Sequence, residues 1–433
     1  MRGTGVTAGR HGAAGSAIAK AAAAVAVVGY DGSLPGPVVR RVLESSELVV
    51  GAARHLDGIG VPEHVRRILL GEDNRLAYAR LTAHLGDPQA GPAVMVTAGD
   101  PGFFGVLRDL RESGFEVVGY PAPGPVAATL GRLGLPWDDA VVVCVTDDRS
   151  LLRAANTARA HPKVAIVAAP EFPPNRVAAA LRGAQRAFIV AQHLGEPDER
   201  IESLSPAEAA TRVVWGAADA ILVLDEERLS PDSPHDPRWG SGWVSAWAGP
   251  SAGWAVPDNA FVARGPQVLP AEIRALILAR LAPRLGAMVW EVAAGAGALA
   301  VECARLGAAV IAVERDPDAC ERISLNAVMH GVDVEVVSGP APAALATLPR
   351  PDAVFVGTER ADIVRACATT GARTVVTAVT ALDRLPAIRQ ALRIGDRRVD
   401  GVQLQASRLA PRPGDALRLA PAAPVFVLWG ELG

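Results

Sequence analysis

From Ala24 to about Asp225 short β-branched runs alternate with Ala/Leu/Arg amphipathic stretches, so the hydrophobic period switches repeatedly between strand and helix. This is the pattern of strands joined by crossover helices, and it predicts an α/β fold. Strands are expected at Val25–Val28, Leu48–Val50, Ala93–Thr97, Glu116–Gly119, Val141–Val145, Val164–Val167, Ala187–Val190 and Ala220–Leu224. Helices fit between them, among them Gly36–Ser45, Gly105–Glu112, Gly124–Leu133 and Arg176–Leu181. Between Glu226 and Pro266 the period disappears into Ser, Pro, Gly and Trp, the composition of a linker. Its Trp243, Trp247 and Trp254 are read as aromatics docked on a neighbouring domain rather than as a binding surface.

From Gln267 a second α/β pattern begins with a helix Pro270–Leu281, a strand Met288–Val292, a glycine-rich turn, a helix Ala298–Arg305 and a strand Ala309–Val313. Further strands are expected at Val334–Val337, Ala353–Val356, Thr374–Val379, Val402–Ser407 and Val425–Trp429. The expected division is therefore a disordered tail 1–24, a first domain 25–228, a linker 229–266 and a second domain 267–433. A chain of 433 residues suits two domains.

Charge and composition narrow the chemistry. A formal net charge of −3 and the lack of a basic run argue against nucleic acid as partner. No apolar run approaches the roughly 18 residues of a membrane span, and Lys20 interrupts the hydrophobic stretch that leads into the first strand, so neither membrane insertion nor a signal peptide is expected. Cys144, Cys303, Cys320 and Cys367 are far apart, with no Cys-x-x-Cys pair and no histidine at ligand spacing. Neither disulfide nor metal is expected, and a reducing cytoplasm follows.

The segment WEVAAGAGALAVECARLGAAVIAVERD sets a glycine-rich turn between a strand and a helix and ends a second strand on an acid. Gly295 and Gly297 let the backbone approach a ligand, the helix N-terminus offers free amides, and Glu314 stands where an acid accepts ribose hydroxyls. Dinucleotide dehydrogenases share this geometry, so the turn by itself leaves both readings open. Its spelling resembles the E/D-x-G-x-G-x-G turn of class I methyltransferases, with Glu291 as the leading acid and Ala293 where the first glycine usually stands. Upstream, LPAEIRALILARLAPRLGAMVWEV resembles the entry helix of the C15-methylating, decarboxylating enzymes of cobalamin synthesis, and DAVFVG and DGVQLQASRLAP resemble their later strands. The threonine that usually precedes the entry helix is absent, and Thr358 and Glu359 replace a glycine run.

In the first domain VMVTAGDPGFFG resembles the S/A-G-D-P-x-[FY]-[FY]-G motif of the tetrapyrrole (corrin/porphyrin) methylases, a fold whose two α/β lobes clasp the cofactor. YPAPGPVAATLGRLGLPWDD, LVVGAARHL and LGEPDERI resemble segments of the branch that methylates carbon 5. One departure is the first loop, VVGYDGS, shorter than the family's G-x-G-x-D-G but keeping Gly29, Asp31 and Gly32. Asp100 also suits a helix cap, and His55, beside Arg54, is read as a packing histidine rather than a substrate ligand.

Together the resemblances imply an N-terminal two-lobed tetrapyrrole methylase fold followed by a C-terminal class I (Rossmann-like) methyltransferase domain. They imply one S-adenosyl-L-methionine per domain, held by Gly29, Asp31, Gly99, Asp100, Pro101, Phe104 and Gly124 in the first and by Glu291, Gly295, Gly297, Glu314 and Gly339 in the second. The implied partner is a small-molecule tetrapyrrole, with a homo-oligomer as the assembly. Arginine forks match carboxylates, which makes Arg274 and Arg408 candidates for holding those of the substrate, ordinary ion pairing being the equal alternative. Whether that substrate carries cobalt stays open.

Overall fold

The structure, a computed structural model, describes residues 24–70, 75–104, 106–229, 249, 253–264, 268–413 and 416–433. The expected tail, apart from the buried Ala24, lies outside the described residues, as do most of the linker, Trp243, Trp247 and Gly105. The chain forms two compact units, one of residues 1–137, 190–202 and 216–221, the other of residues 138–189, 203–215 and 222–433.

The first unit is built on β1 (Val25–Tyr30), β2 (Leu48–Ala52), β3 (Arg66–Leu70), β4 (Ala93–Ala98) and β5 (Val117–Tyr120), in the order β3-β2-β4-β1-β5. Every pairing is parallel, so the inner strands are covered on both faces and read as nearly continuous hydrophobic runs. Val25, Val27, Leu48, Val50 and Met95 pack one face against Ala77, Leu81 and Leu110, while Val28, Val49, Val94 and Val96 pack the other against Leu43, Leu56 and Ile59. Parallel pairing also puts the ends of β1, β2, β4 and β5 on one edge, where loops begin at Asp31, Gly99 and Pro121 and a helix starts directly at Ala53. A second sheet takes β6 (Val141–Val145), β7 (Lys163–Ala168), β8 (Ala187–Gln192), β9 (Arg200–Leu204) and β10 (Ala220–Leu224) in the order β6-β7-β10-β8-β9.

The C-terminal part is a seven-stranded sheet of β11 (Met288–Val292), β12 (Ala309–Glu314), β13 (Glu335–Ser338), β14 (Ala353–Val356), β15 (Thr374–Val379), β16 (Arg398–Leu404) and β19 (Val425–Glu431), ordered β13-β12-β11-β14-β15-β19-β16. Only β19 runs against its neighbours β15 and β16. The chain enters at β11, moves outward through β12 and β13, then crosses back to β14, which makes the ends of β11 and β14 the switch point where a crevice opens. The helix Ala271–Leu281 buries Ile273, Ile277, Leu278 and Leu281 against Val289, Phe355, Val376 and Trp429, and the opposite face packs Trp290, Val354 and Val375 on Val364, Ile388 and Leu392.

The expected strand Val402–Ser407 is in fact a junction: β16 ends at Leu404 and a separate strand, β17 (Ser407–Pro411), pairs with β18 (Leu417–Pro421) in a two-stranded ribbon. Strands β3 and β9 and this ribbon were not anticipated because each has an edge facing water, where charge is tolerated and the hydrophobic signal fades. Among the described residues no helix is long and apolar enough to cross a membrane.

Ile277 is fully buried at the centre of the helix-to-sheet contact. Ile277→Ala is expected to cost about 3 kcal/mol and Ile277→Val about 1 kcal/mol, read as graded shifts of the urea unfolding midpoint.

Candidate active site

Three left-handed residues within five positions, Ala293 (φ 58°), Gly295 (φ 60°) and Gly297 (φ 71°), turn the chain from β11 into the helix Ala298–Arg305. A Cβ on Gly297 would stand 2.8 and 2.9 Å from the Ile323 side chain, so only glycine passes there. Ala293, at the departure from the family spelling, holds the same conformation with a methyl group, at a cost of about 1 kcal/mol. Its amide bonds Val313 O at 2.9 Å, and its carbonyl lies 2.5 Å from where a Cβ on Gly357 would project, so β11, β12 and β14 end against one another.

Two carboxylates bracket this turn. Glu291, inside an otherwise apolar strand and 5% exposed, accepts the Ala300 amide at 2.7 Å and so caps a helix whose N-cap glycine has no side chain to do it. Burial pushes its carboxyl up to about 8; the Ala300 bond opposes this, and the nearby Glu314 and Glu302 reinforce it. Glu291 therefore keeps its proton at neutral pH. Glu314, ending β12, accepts Gly295 N at 2.9 Å on one oxygen and Arg315 N and Asp316 N at 2.8 and 3.0 Å on the other. Three of about four acceptor positions are thus filled by the backbone, leaving one for a ligand hydroxyl. Gly339 is brought alongside, its amide on Glu314 O at 2.8 Å. The cavity over the turn, about 300 Å³, is lined by Leu269, Glu291, Gly295, Phe355 and Gly357 among others. It sits at the lower end of the range for small-molecule sites.

Arg274 also borders this cavity, but its donors are turned to partners inside the protein. Its side chain is fully buried and donates to Glu302 at 2.7 Å, to Asp258 at 2.7 Å and to the carbonyls of Leu269 and Val256, so four of its five donors are engaged inside the protein. Arg408, half exposed on β17, is drawn to the same acid, bonding Asp258 at 2.8 Å and Glu272 at 3.0 Å. Neither Asp258 nor Glu302 was foreseen; the one available signal for Glu302 was a charge on the apolar face of a short helix. Glu359, where a glycine run was expected, binds the Thr380 amide and hydroxyl at 2.6 and 2.8 Å and ties that loop to the end of β15.

In the first unit Gly29, Gly99 and Gly124 meet backbone to backbone. A Cβ on Gly29 would fall 1.9 Å from Gly99 O, and one on Gly99, itself at φ 60°, would fall 2.6 Å from Gly124 Cα. Asp100 accepts Gly102 N at 2.8 Å, closing its own turn instead of capping the helix that starts at Val106; Pro101 is buried beside it. Phe104 (φ 48°) stacks edge-on against Phe103. Asp31 accepts the Ser33 amide and hydroxyl, and Gly32 rests on Gly195. Around these loops Tyr30, Arg54, His55, Glu196 and Asp219 line a depression of only about 40 Å³, too small for a cofactor without further walls. His55 packs on the Tyr30 ring and is held neutral, its imidazole lowered to about 4 by burial and by Arg54, which itself bonds Asp219 at 2.9 Å. His193 lies 2.8 Å from Asp198 and 3.7 Å from Glu196, a trio of ligand types that the spacing survey of the sequence passed over.

Folded Glu291 holds its proton up to about pH 8, against about 4.5 for a free side chain. Its contribution is therefore complete below about pH 4.5 and is lost as pH rises through 8. Glu291→Gln is expected to gain on the parent in urea stability across that window and to match its slope outside it. Ala293→Gly is expected to raise stability by about 0.5 kcal/mol, relief of left-handed strain outweighing glycine's chain entropy, measured by the same unfolding curves.

Two family models match the chain: Tetrapyrrole (Corrin/Porphyrin) Methylases over residues 36–210 and Precorrin methyltransferase domain over residues 259–428. A precorrin-6Y C(5,15)-methyltransferase [decarboxylating] of Sinorhizobium is 30% identical over 345 residues, covering 76% of each chain. Its counterpart in Mycobacterium tuberculosis is 32% identical over 284 residues, 62% of this chain and 64% of that one. A cobalt-precorrin-6B C(15)-methyltransferase (decarboxylating) of Salmonella typhi is 30% identical over 165 residues, 36% of this chain and 84% of its own. With both halves matched in this order, the chain belongs to the family of decarboxylating precorrin-6Y C5,15-methyltransferases of cobalamin biosynthesis.

Proposed function

We propose that this chain methylates precorrin-6Y at carbons 5 and 15 and removes the carboxyl of the ring C acetate, giving precorrin-8X. The observation that carries the reading is the acid-bracketed glycine turn at the switch point of the seven-stranded sheet, where Glu291 and Gly295 line one cavity and Glu314 holds the Gly295 amide. S-adenosyl-L-methionine, one per domain, supplies a methyl group already activated on a sulfonium. The bridging carbons of a reduced tetrapyrrole are enamine-like nucleophiles, so the protein's task is to position and to exclude water.

In the second domain, residues 267–433, the backbone at Gly295 and Gly297 allows close approach, Glu314 accepts a ribose hydroxyl through its remaining acceptor position, and Gly339 borders the same edge. Glu291, which lines the cavity and holds its proton at neutral pH, would be the counter-charge available to a cationic cofactor held there. In the first domain, residues 25–228, Gly29, Asp31, Gly99, Asp100, Pro101, Phe104 and Gly124 form the cofactor's floor; their loops share one edge of a parallel sheet, which supports this. Residues 229–266 connect the two. Arg408, exposed on its ribbon, remains the candidate for a substrate carboxylate, exchanging Glu272 for it. The exposed Leu409, Leu417 and Leu419 of the ribbon support a homo-oligomer.

The test is product mass after incubation with precorrin-6Y and methyl-labelled adenosylmethionine. Two labels gained and one carbon dioxide lost is the expected result. One label with decarboxylation means that carbon 5 chemistry is absent, and an unchanged mass, with the cobalt-bearing substrate as well, refutes the reading.

A further inference from the structure

Arg186, just before β8, and Arg228, in the short helix Glu226–Leu229, converge on one carboxylate from the C-terminal sheet. Arg186 Nη2 and Arg228 Nη1 each lie 2.7 Å from Oδ2 of Asp333, in the turn before β13. Arg228 also donates to Gly331 O at 2.9 Å, and Asp225, after β10, pairs with Arg186 at 3.1 Å while accepting the Arg228 amide. These charges are out of water: the side chains of Arg228, Arg186 and Asp225 are 3%, 11% and 10% exposed. Nearby, Asn156 donates to Gly286 O at 3.2 Å, and a Cβ on Gly286 would meet Arg153 at 3.3 Å. Ala160 packs into the core cluster of the C-terminal sheet. His161 is 2% exposed, and burial lowers its imidazole to about 4 against the opposing bond with the Gly307 backbone.

Without the C-terminal domain, Arg186 and Arg228 would lose the carboxylate they share, Asp333, whose side chain is 30% exposed in the docked cluster. Without the lobe, Asp333 would lose both of its cations. Each surface therefore supplies the charge that the other lacks, and breaking buried pairs of this kind is strongly destabilising. We infer that the second lobe of the N-terminal methylase and the C-terminal methyltransferase domain are docked through this Arg186–Arg228–Asp333 cluster as non-covalent partners, so that the chain between them is not what holds them together. The surface around Asp333 and Gly286 fits one partner, the lobe that carries Arg186, Arg228 and Asn156. This inference rests on the contacts alone and is independent of the proposed reaction.

The experiment uses the full-length chain with a protease site inserted after Trp239, purified folded and then cut. The two fragments are expected to co-elute in size exclusion at micromolar concentration and at moderate salt, since buried pairs are weakly screened. Asp333→Asn, which keeps the shape and removes the charge, is expected to weaken association on the order of 100-fold, so that its cut fragments elute apart while the uncut variant keeps the parental circular dichroism spectrum. Separation of the cut parent would overturn the docking, and undiminished co-elution of cut Asp333→Asn would overturn its assignment to the charge cluster. If uncut Asp333→Asn does not fold, Arg186→Gln, judged by the same co-elution, decides the second point.

Discussion

The site in the second domain depends on one buried ion pair. Arg274 and Glu302 have no exposed side-chain surface and meet at 2.7 Å, joining the entry helix Ala271–Leu281 to the helix that the glycine turn begins. Removing one member of such a pair leaves an uncompensated charge in a low-dielectric interior, typically a loss of 3–5 kcal/mol. Both helices are therefore held in one orientation, and the turn between strand and helix has little freedom to drift. The same guanidinium reaches Asp258, and Asp258 reaches Arg408 on the β17–β18 ribbon, so a single acid connects the entry helix to that ribbon.

Around that pair the acids divide the work by environment. Glu302 is matched by a cation, Glu314 is matched by three backbone amides, and Glu291 has one amide and no cation within bonding distance, so burial keeps its proton on. A cluster of three ionised carboxylates under a helix start would repel itself; a neutral member makes the arrangement tenable and leaves a charge that a cationic ligand can call up. The first unit uses a different device. Its chain segments approach through Gly29 and Gly99, where a Cβ would strike the backbone of Gly99 and of Gly124.

The compact units do not follow the order of the chain, because residues 138–189 belong with the C-terminal sheet. Fusion of two methylases has thus been accompanied by a buried charge cluster and by hydrogen bonds such as Asn156 to Gly286, of the kind that a flexible tether does not need.

The sequence by itself determined the α/β alternation, most of the inner strands and the glycine turn with Glu291 and Glu314, because each depends on local period or on a contiguous motif, whereas the meeting of Gly29, Gly99 and Gly124 is a tertiary contact. Strands Val141–Val145, Ala220–Leu224, Ala353–Val356 and Thr374–Val379 were legible to the residue, since each is an unbroken run of small, apolar or β-branched side chains with no charge in it. Edge strands such as Arg66–Leu70 and the ribbon Ser407–Pro421 were not, since water on one side permits charge. Only the tertiary structure decided that Arg274 pairs with Glu302 and Asp258, that Asp258 serves two arginines, and that Arg186 and Arg228 meet Asp333 more than 100 residues away. A charged residue announces its charge in the sequence, but its partner is chosen by chain crossing and burial, which no local pattern encodes.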